Sequence, residues 1–221
     1  MKPRLSLFLA FCILWAAHTT YASAQTESSA PRYLFEEFQD GTVFYSDGRQ
    51  FAVPLNFNLV TGQYVFIDPS DQLEKEFSEP GLVVALHFGE RIFLPSAGKA
   101  IEIIQAEPKF HVHYSAQKRK APDKITYGGT TETASVASYS GIPGQGVISR
   151  AQAKSSVVTR VDKTYEVKVG KRSRSFYNQR SFLKAFPKTM RSSLESYIQE
   201  QEIDFDSVDE VLQLYNYAIQ Q

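Results

Sequence analysis

The sequence predicts an α+β protein: an antiparallel, strand-rich body (a small sandwich, roll or open barrel) followed by a C-terminal segment of two to three short helices. Two patterns carry this expectation. Between Gly41 and Ser115 apolar and polar residues alternate, and turn residues punctuate the run at regular intervals, as half-buried strands require. After Asn178 the apolar residues instead recur at three- and four-residue spacing, which lines one face of a helix.

The strands follow in order. Thr42 to Ser46 and Gln50 to Phe57 flank Asp47-Gly48, a dipeptide suited to the type I′ turn, whose two central residues need positive φ. In the second arm Phe51, Val53, Leu55 and Phe57 share one face, and Ala52, Pro54, Asn56 and Asn58 the other. Pro54 lacks an amide donor, so an edge or a bulge is expected there. Thr61-Gly62 turns into a strand from Gln63 to Ile67 that stops at Asp68-Pro69. Gly81 to Phe88 and Arg91 to Leu94 flank Gly89-Glu90, a two-residue hairpin turn. Ala100 to Gln105 and Lys109 to Ser115 complete the first series. Ser156 to Val161 and Thr164 to Val169 read as a further hairpin turning at Asp162-Lys163.

In the helical end, Asn178 is placed to cap a short helix carrying Phe182, Leu183 and Phe186, and Pro187 either interrupts it or opens the next helix, where proline is tolerated. Met190, Leu194, Tyr197 and Ile198 form the next stripe. Ser207 and Glu210 have capping-box spacing before a last helix with Val208, Val211, Leu212, Tyr215 and Ile219 on its apolar face. Stripes this apolar are expected to dock on the strand body of the same chain.

The chain divides accordingly. Residues 1–24 form a secretory signal peptide: Lys2 and Arg4, an apolar run from Leu5 to Ala17, then Ala22-Ser23-Ala24 before a cleavage at Gln25. That run is shorter than the roughly 20 residues a transmembrane helix needs, so no integral membrane protein is expected. Residues 25–36 are a loose polar lead-in, 37–115 the β-rich body, 116–153 a mobile Ser/Thr/Gly-rich excursion, 154–170 a β-hairpin and 176–221 the helical segment. Cys12 and Trp15, the single cysteine and tryptophan, lie in the leader. The exported part therefore has no disulfide and no thiol nucleophile, and Cys12 lacks the small-residue setting of a lipid-anchor site.

Lysine plus arginine balance aspartate plus glutamate at 24 each, and loss of the leader leaves a slightly acidic chain. Nothing in that balance attracts nucleic acid. The densest basic cluster, Lys168, Lys171, Arg172, Arg174 and Arg180, suits acidic headgroups, an anionic polysaccharide or a partner protein; its ordinary role is a solvated strand edge. Specific catalytic motifs are missing: there is no Gly-x-Ser-x-Gly elbow and no phosphate loop around Gly144-Gln145-Gly146. Glu36, Glu37, Asp68 and Asp71 read as solvated loop carboxylates. His111-Val112-His113 alone resembles a metal site, because residues i and i+2 of a strand point the same way and His87 is available as a third ligand. Phe110, Val112 and Tyr114 on the opposite parity look like the core side, which leaves the histidines facing solvent.

The run Gly41-Thr42-Val43-Phe44-Tyr45-Ser46-Asp47-Gly48, then Pro54-Leu55-Asn56-Phe57-Asn58, Tyr64-Val65-Phe66-Ile67 and Arg91-Ile92-Phe93, resembles a loosely defined group of uncharacterised exported proteins of Bacteroidota bacteria. Tyr127-Gly128 and the helical end from Asn178 extend the likeness over most of the exported chain. The resemblance implies the periplasm or cell envelope of a Gram-negative bacterium and carries no activity and no functional residues.

The expectation is a non-catalytic binding or scaffolding module without a cofactor, whose partner is an envelope protein or polysaccharide. Two alternatives stand beside it: a metal-dependent hydrolase using His111 and His113, and a carbohydrate- or lipid-binding module.

Overall fold

The computed structural model describes residues 31–120 and 156–221. The expected leader and cleavage point, the start of the expected lead-in and residues 121–153 of the expected excursion lie outside the described residues. Among the described residues ten strands form one antiparallel sheet: β1 (Gln39–Tyr45), β2 (Gln50–Asn58), β3 (Gln63–Ile67), β4 (Glu74–Glu76), β5 (Val83–Phe88), β6 (Arg91–Leu94), β7 (Ala100–Gln105), β8 (Phe110–Lys120), β9 (Ser156–Val169) and β10 (Arg172–Phe176). Their spatial order is β10-β9-β8-β7-β6-β5-β1-β2-β3-β4. Two meanders thus meet where β5 returns to pair with β1. Three helices follow, α1 (Gln179–Ala185), α2 (Arg191–Glu200) and α3 (Val208–Ile219). The α+β expectation, with a β-rich body and short C-terminal helices, is what the structure shows.

The first half of the sheet rolls over on itself. β3 and β6 are four strand spacings apart, about 19 Å in a flat sheet. Yet the Tyr64 hydroxyl of β3 donates to the Leu94 carbonyl of β6 at 3.1 Å, and the Tyr64 and Phe93 rings are 6.4 Å apart. The Gly98 amide also donates to the Gly62 carbonyl at 3.0 Å, joining the loops beyond these strands. Val43, Leu55, Phe57, Leu86, Phe88 and Phe93 fill the roll and are all buried. Gly41 sits where it bends. A Cβ there would run into the His87 carbonyl oxygen and reach 2.6 Å from Leu55 Cδ1, so the position admits no side chain.

The second half is covered by helices. Phe110, Val112, Tyr165 and Val167 of β8 and β9 face Phe182, Leu194, Ile198, Val211, Leu214 and Tyr215 in one buried cluster. Tyr165 stacks on Phe176 at 5.4 Å, and Tyr215 lies 5.6 Å from Phe110. Two tyrosine hydroxyls finish the docking. Tyr165 donates to the Phe205 carbonyl at 2.7 Å and Tyr215 to the Lys168 carbonyl at 2.8 Å.

Several local readings change. The β1–β2 connection is a three-residue loop, with the Gly48 amide donating to Tyr45 and the Tyr45 amide to Arg49. Gly48 has φ of +89° while Asp47 stays at negative φ, so the turn is type I with a glycine bulge rather than type I′. β9 is one continuous strand of 14 residues, not a hairpin at Asp162-Lys163. Its partner β8 runs to Lys120, which places Ala116–Lys120 in the sheet rather than in the excursion. Asn56 and Asn58 are buried because the lead-in crosses them. Asn56 accepts from the Phe35 amide at 3.1 Å and donates to the Phe35 and Glu37 carbonyls at 2.9 and 3.2 Å. Residues 31–36 are therefore tied to the body. Phe51, expected to be inward, is 47% exposed. Pro54 lies one position beyond the last β2–β3 pair, Leu55↔Phe66, where its missing amide costs no bond to β3.

The helix caps follow the sequence closely. Asn178 Oδ1 accepts from the Ser181 amide at 2.9 Å. Ser207 Oγ accepts from the Glu210 amide at 3.4 Å, but Glu210 reaches past the cap to the Asp204 amide at 2.7 Å. On α3 the buried face is Val211, Leu214, Tyr215 and Ala218, while Ile219 is 42% exposed. Leu212, placed on the stripe by spacing, is only partly covered.

Two outcomes test this packing by urea unfolding of the purified protein. Leu214→Ala should lose about 2–5 kcal/mol, the range for a fully buried leucine, and Leu212→Ala clearly less. Gly41→Ala should lose about 1–3 kcal/mol through overpacking at the bend; an unchanged midpoint would show that the roll has slack there.

Candidate functional site

The two histidines of β8 lie on the sheet face away from the helices, as their parity requires. His113 does not face solvent, however: its side chain is 12% exposed. Lys99 Nζ, just before β7, is 3.1 Å from His113 Nδ1. An ammonium only donates, so Nδ1 accepts and the imidazole hydrogen is on Nε2. Nε2 lies 3.1 Å from Glu166 Oε2 of β9, without the alignment of a hydrogen bond. Lys109 Nζ donates to the other Glu166 oxygen at 2.6 Å. Burial first, and then the Lys99 charge, push the His113 pKa down to about 4, against a smaller opposing pull from Glu166. Burial and Lys109 lower His111 as well. A neutral, half-enclosed imidazole held between Lys99 and Glu166 is the result.

His87 is not brought to them. The register runs His87↔Ile92, Ile92↔Ile103 and Ile103↔His111, so two strands intervene, a separation of about 14 Å. Its ring packs on Phe44 instead, 4.5 Å away. Among the described residues no three histidine, cysteine, aspartate or glutamate side chains converge as a metal site.

A second cluster lies on the helix-bearing face and was not singled out from the sequence. Glu102 is 3% exposed. Arg91 donates to both its oxygens, Nε at 2.5 Å and Nη2 at 2.8 Å, and the Tyr114 hydroxyl adds a third bond at 2.7 Å. The Arg91 guanidinium lies over Phe35 at 4.8 Å and Phe93 at 5.3 Å. Glu102 holds the guanidinium charged, and burial drives the Tyr114 hydroxyl well above the ordinary phenol range. The available signal was one acid at inward parity in the apolar strand Ala100-Ile101-Glu102-Ile103-Ile104. Beside it opens a shallow cleft of about 290 Å³ lined by Phe35, Glu36, Glu37, Gln39, Phe88 and Arg91. This lies at the lower limit of ordinary small-molecule sites, about 300 Å³. Its cation is already committed to Glu102. Asp68 and Asp71 are elsewhere, both paired with Lys75 at 2.6 and 2.8 Å.

The third arrangement is the β10 edge. Val169↔Arg172 closes a two-residue turn with Gly170 at φ +58°, the first central position of a type II′ turn. Arg172 and Arg174 share the face of Val169 and Val167, and every residue from Lys171 to Ser175 is exposed. Among the described residues Lys168 has one distant acid, Glu107 at 3.6 Å; Lys171, Arg172, Arg174 and Arg180 have no ion pair. The opposite sheet edge, β4, differs: Glu74 takes the Tyr33 hydroxyl at 2.5 Å, Asn58 at 3.3 Å and Arg32 at 4.0 Å, and Lys75 holds two aspartates.

Comparison with protein-family models, with curated proteins and with solved structures finds no match. The chemistry of the site must therefore be read from this chain alone.

The His113 pocket makes stability depend on pH. Its folded pKa, about 4, lies below its ordinary value of 6.5, so the unfolded chain binds the proton first as pH falls. The stabilisation by neutral His113 is complete above about pH 6.5 and is lost as pH drops toward about 4. Urea midpoints measured across that window should fall for the native protein. They should fall less for His113→Gln, which keeps a polar side chain but does not titrate.

Proposed function

We propose that this protein is a non-catalytic binding module of the Gram-negative cell envelope, exported by its leader and engaging an envelope partner through the β10 edge. The observation that carries the reading is the contrast between paired and unpaired charge. Glu102, Glu166 and Lys75 are each met inside the chain, whereas Arg172 and Arg174 stand exposed on an edge strand with no acid partner among the described residues. Repeated exposed cations on one strand favour an anionic partner. The leader supports the location. Among the described residues no helix is long and apolar enough to cross a membrane.

The helical end contributes to this function by support. Its apolar face is occupied by β8 and β9, which holds β10 in place for contact.

Photo-crosslinking in the native host tests the proposal. A photoreactive residue replacing Arg174 should yield an adduct in the envelope fraction, and one replacing the exposed Leu73 near β4 should not. Full-length protein retaining Met1 in the cytoplasmic fraction, or adducts at Leu73 alone, would refute it.

A further inference from the structure

We infer that the β10 edge takes an extended acidic polypeptide as an eleventh strand. The inference rests on the binding-module reading and names the chemistry of its partner.

The backbone supplies the first argument. β10 is the last strand of the sheet and pairs only with β9 among the described strands. In an antiparallel ladder alternate residues direct both backbone groups to one neighbour. The two-residue turn makes Val169↔Arg172 a bonded pair, so Arg172, Arg174 and Phe176 are bound to β9, and Ser173 and Ser175 direct N–H and C=O outward. None of these outward groups makes a hydrogen bond among the described residues. A row of alternating donors and acceptors at strand spacing matches another polypeptide. A sugar polymer or a lipid headgroup has no such periodic backbone.

The side chains supply the second argument. Arg172 and Arg174 are two residues apart on one face, so their charges recur at the spacing of alternate residues in an incoming strand. Lys171 and Arg180 add positive charge at its ends. This charge opposes pairing with the same edge of a second copy, because like charges would lie across from one another. The same charge favours a strand with acids at alternate positions. At β4 the one cation, Lys75, is already taken by two aspartates and its neighbours are Glu74 and Glu76, so acidic strand addition is specific to β10.

Titration of the isotope-labelled protein with a synthetic octapeptide of alternating glutamate and threonine tests this. Polygalacturonate serves as the anionic-polysaccharide probe. The peptide should shift the Ser173 and Ser175 amide resonances and slow their hydrogen exchange at least tenfold. Arg172→Glu/Arg174→Glu should weaken peptide binding at least tenfold. So should Ser175→Pro, which deletes one outward donor and no charge, in a protein whose urea midpoint is first shown to be unchanged. The same peptide N-methylated at every residue should not bind, a comparison that needs no protein variant. Failure of the peptide to bind, or equal binding by its N-methylated form, overturns strand addition. Binding of polygalacturonate alone also overturns it while leaving an anion-binding module standing. A crosslinked adduct at Arg174 in cells without peptide binding likewise separates failure of this inference from failure of the functional reading.

Discussion

The carboxylate of Glu102 is almost sealed from water on the same sheet face as Phe93 and Val112, so its charge has to be met inside the protein. Arg91 meets it with two hydrogen bonds from β6, and Tyr114 adds one from β8. Three adjacent strands are thereby held in a single register. The guanidinium also covers Phe35, which belongs to the lead-in segment fastened by Asn56. A pairing of this kind punishes any slip, because a one-residue shift would carry Glu102 to the other face and leave Arg91 against aromatic rings without its counter-ion. The roll before it and the helix-covered sheet after it both build outward from strands that this pairing aligns.

How the sheet buries its apolar face follows from the residues on each half. Small residues lie at the bend and at loop closure, Gly41 in β1 and Gly62 against Gly98, and backbone meets backbone or side chain there. β8 and β9 carry no such glycines. They stay extended over 11 and 14 residues and need a separate cover. The helices provide it through Leu194, Val211, Leu214 and Tyr215.

Most of this architecture was legible because alternation, turn residues and caps act locally. Gly89 and Asn178 declare their roles within a few residues. The misreadings share a different cause. Asp162-Lys163 has turn chemistry, yet Asp162 accepts from Gln117 at 2.9 Å and Lys163 donates to the Asp206 carbonyl, partners more than 40 positions away. Asn56 and Asn58 look solvated until the lead-in is laid across them. His113 has the parity of an exposed residue, but Lys99 and Glu166 from the neighbouring strands' ends and centres enclose it. Glu102 was overlooked because one acid in an apolar strand has no signature until Arg91 and Tyr114 are known to flank it. The candidate site was half visible: the basic cluster was legible as composition. Its division between an edge strand, a turn and a helix start, and its lack of acids, required the sheet order.

The acid sensitivity of the His113 pocket bears on the same architecture. Lys99 can lie 3.1 Å from Nδ1 only while that nitrogen keeps its lone pair. A proton there sets two positive groups against each other, with Glu166 already engaged by Lys109. Lys99 is next in sequence to Gly98, whose amide holds the Gly62 carbonyl at the closure of the roll. Charge placed on the outer face of β8 therefore acts one residue from the backbone bond that joins the β2–β3 and β6–β7 loops. The β10 edge is bound to β9 through Tyr165 to Val169, a stretch that includes Glu166, and is packed under α1 by the Phe176–Phe182 contact at 4.9 Å. Mild acid thus acts on both sides of β8: toward Lys99 at the closure of the roll, and toward Glu166 of β9, which pairs with Ser175 of the basic edge strand.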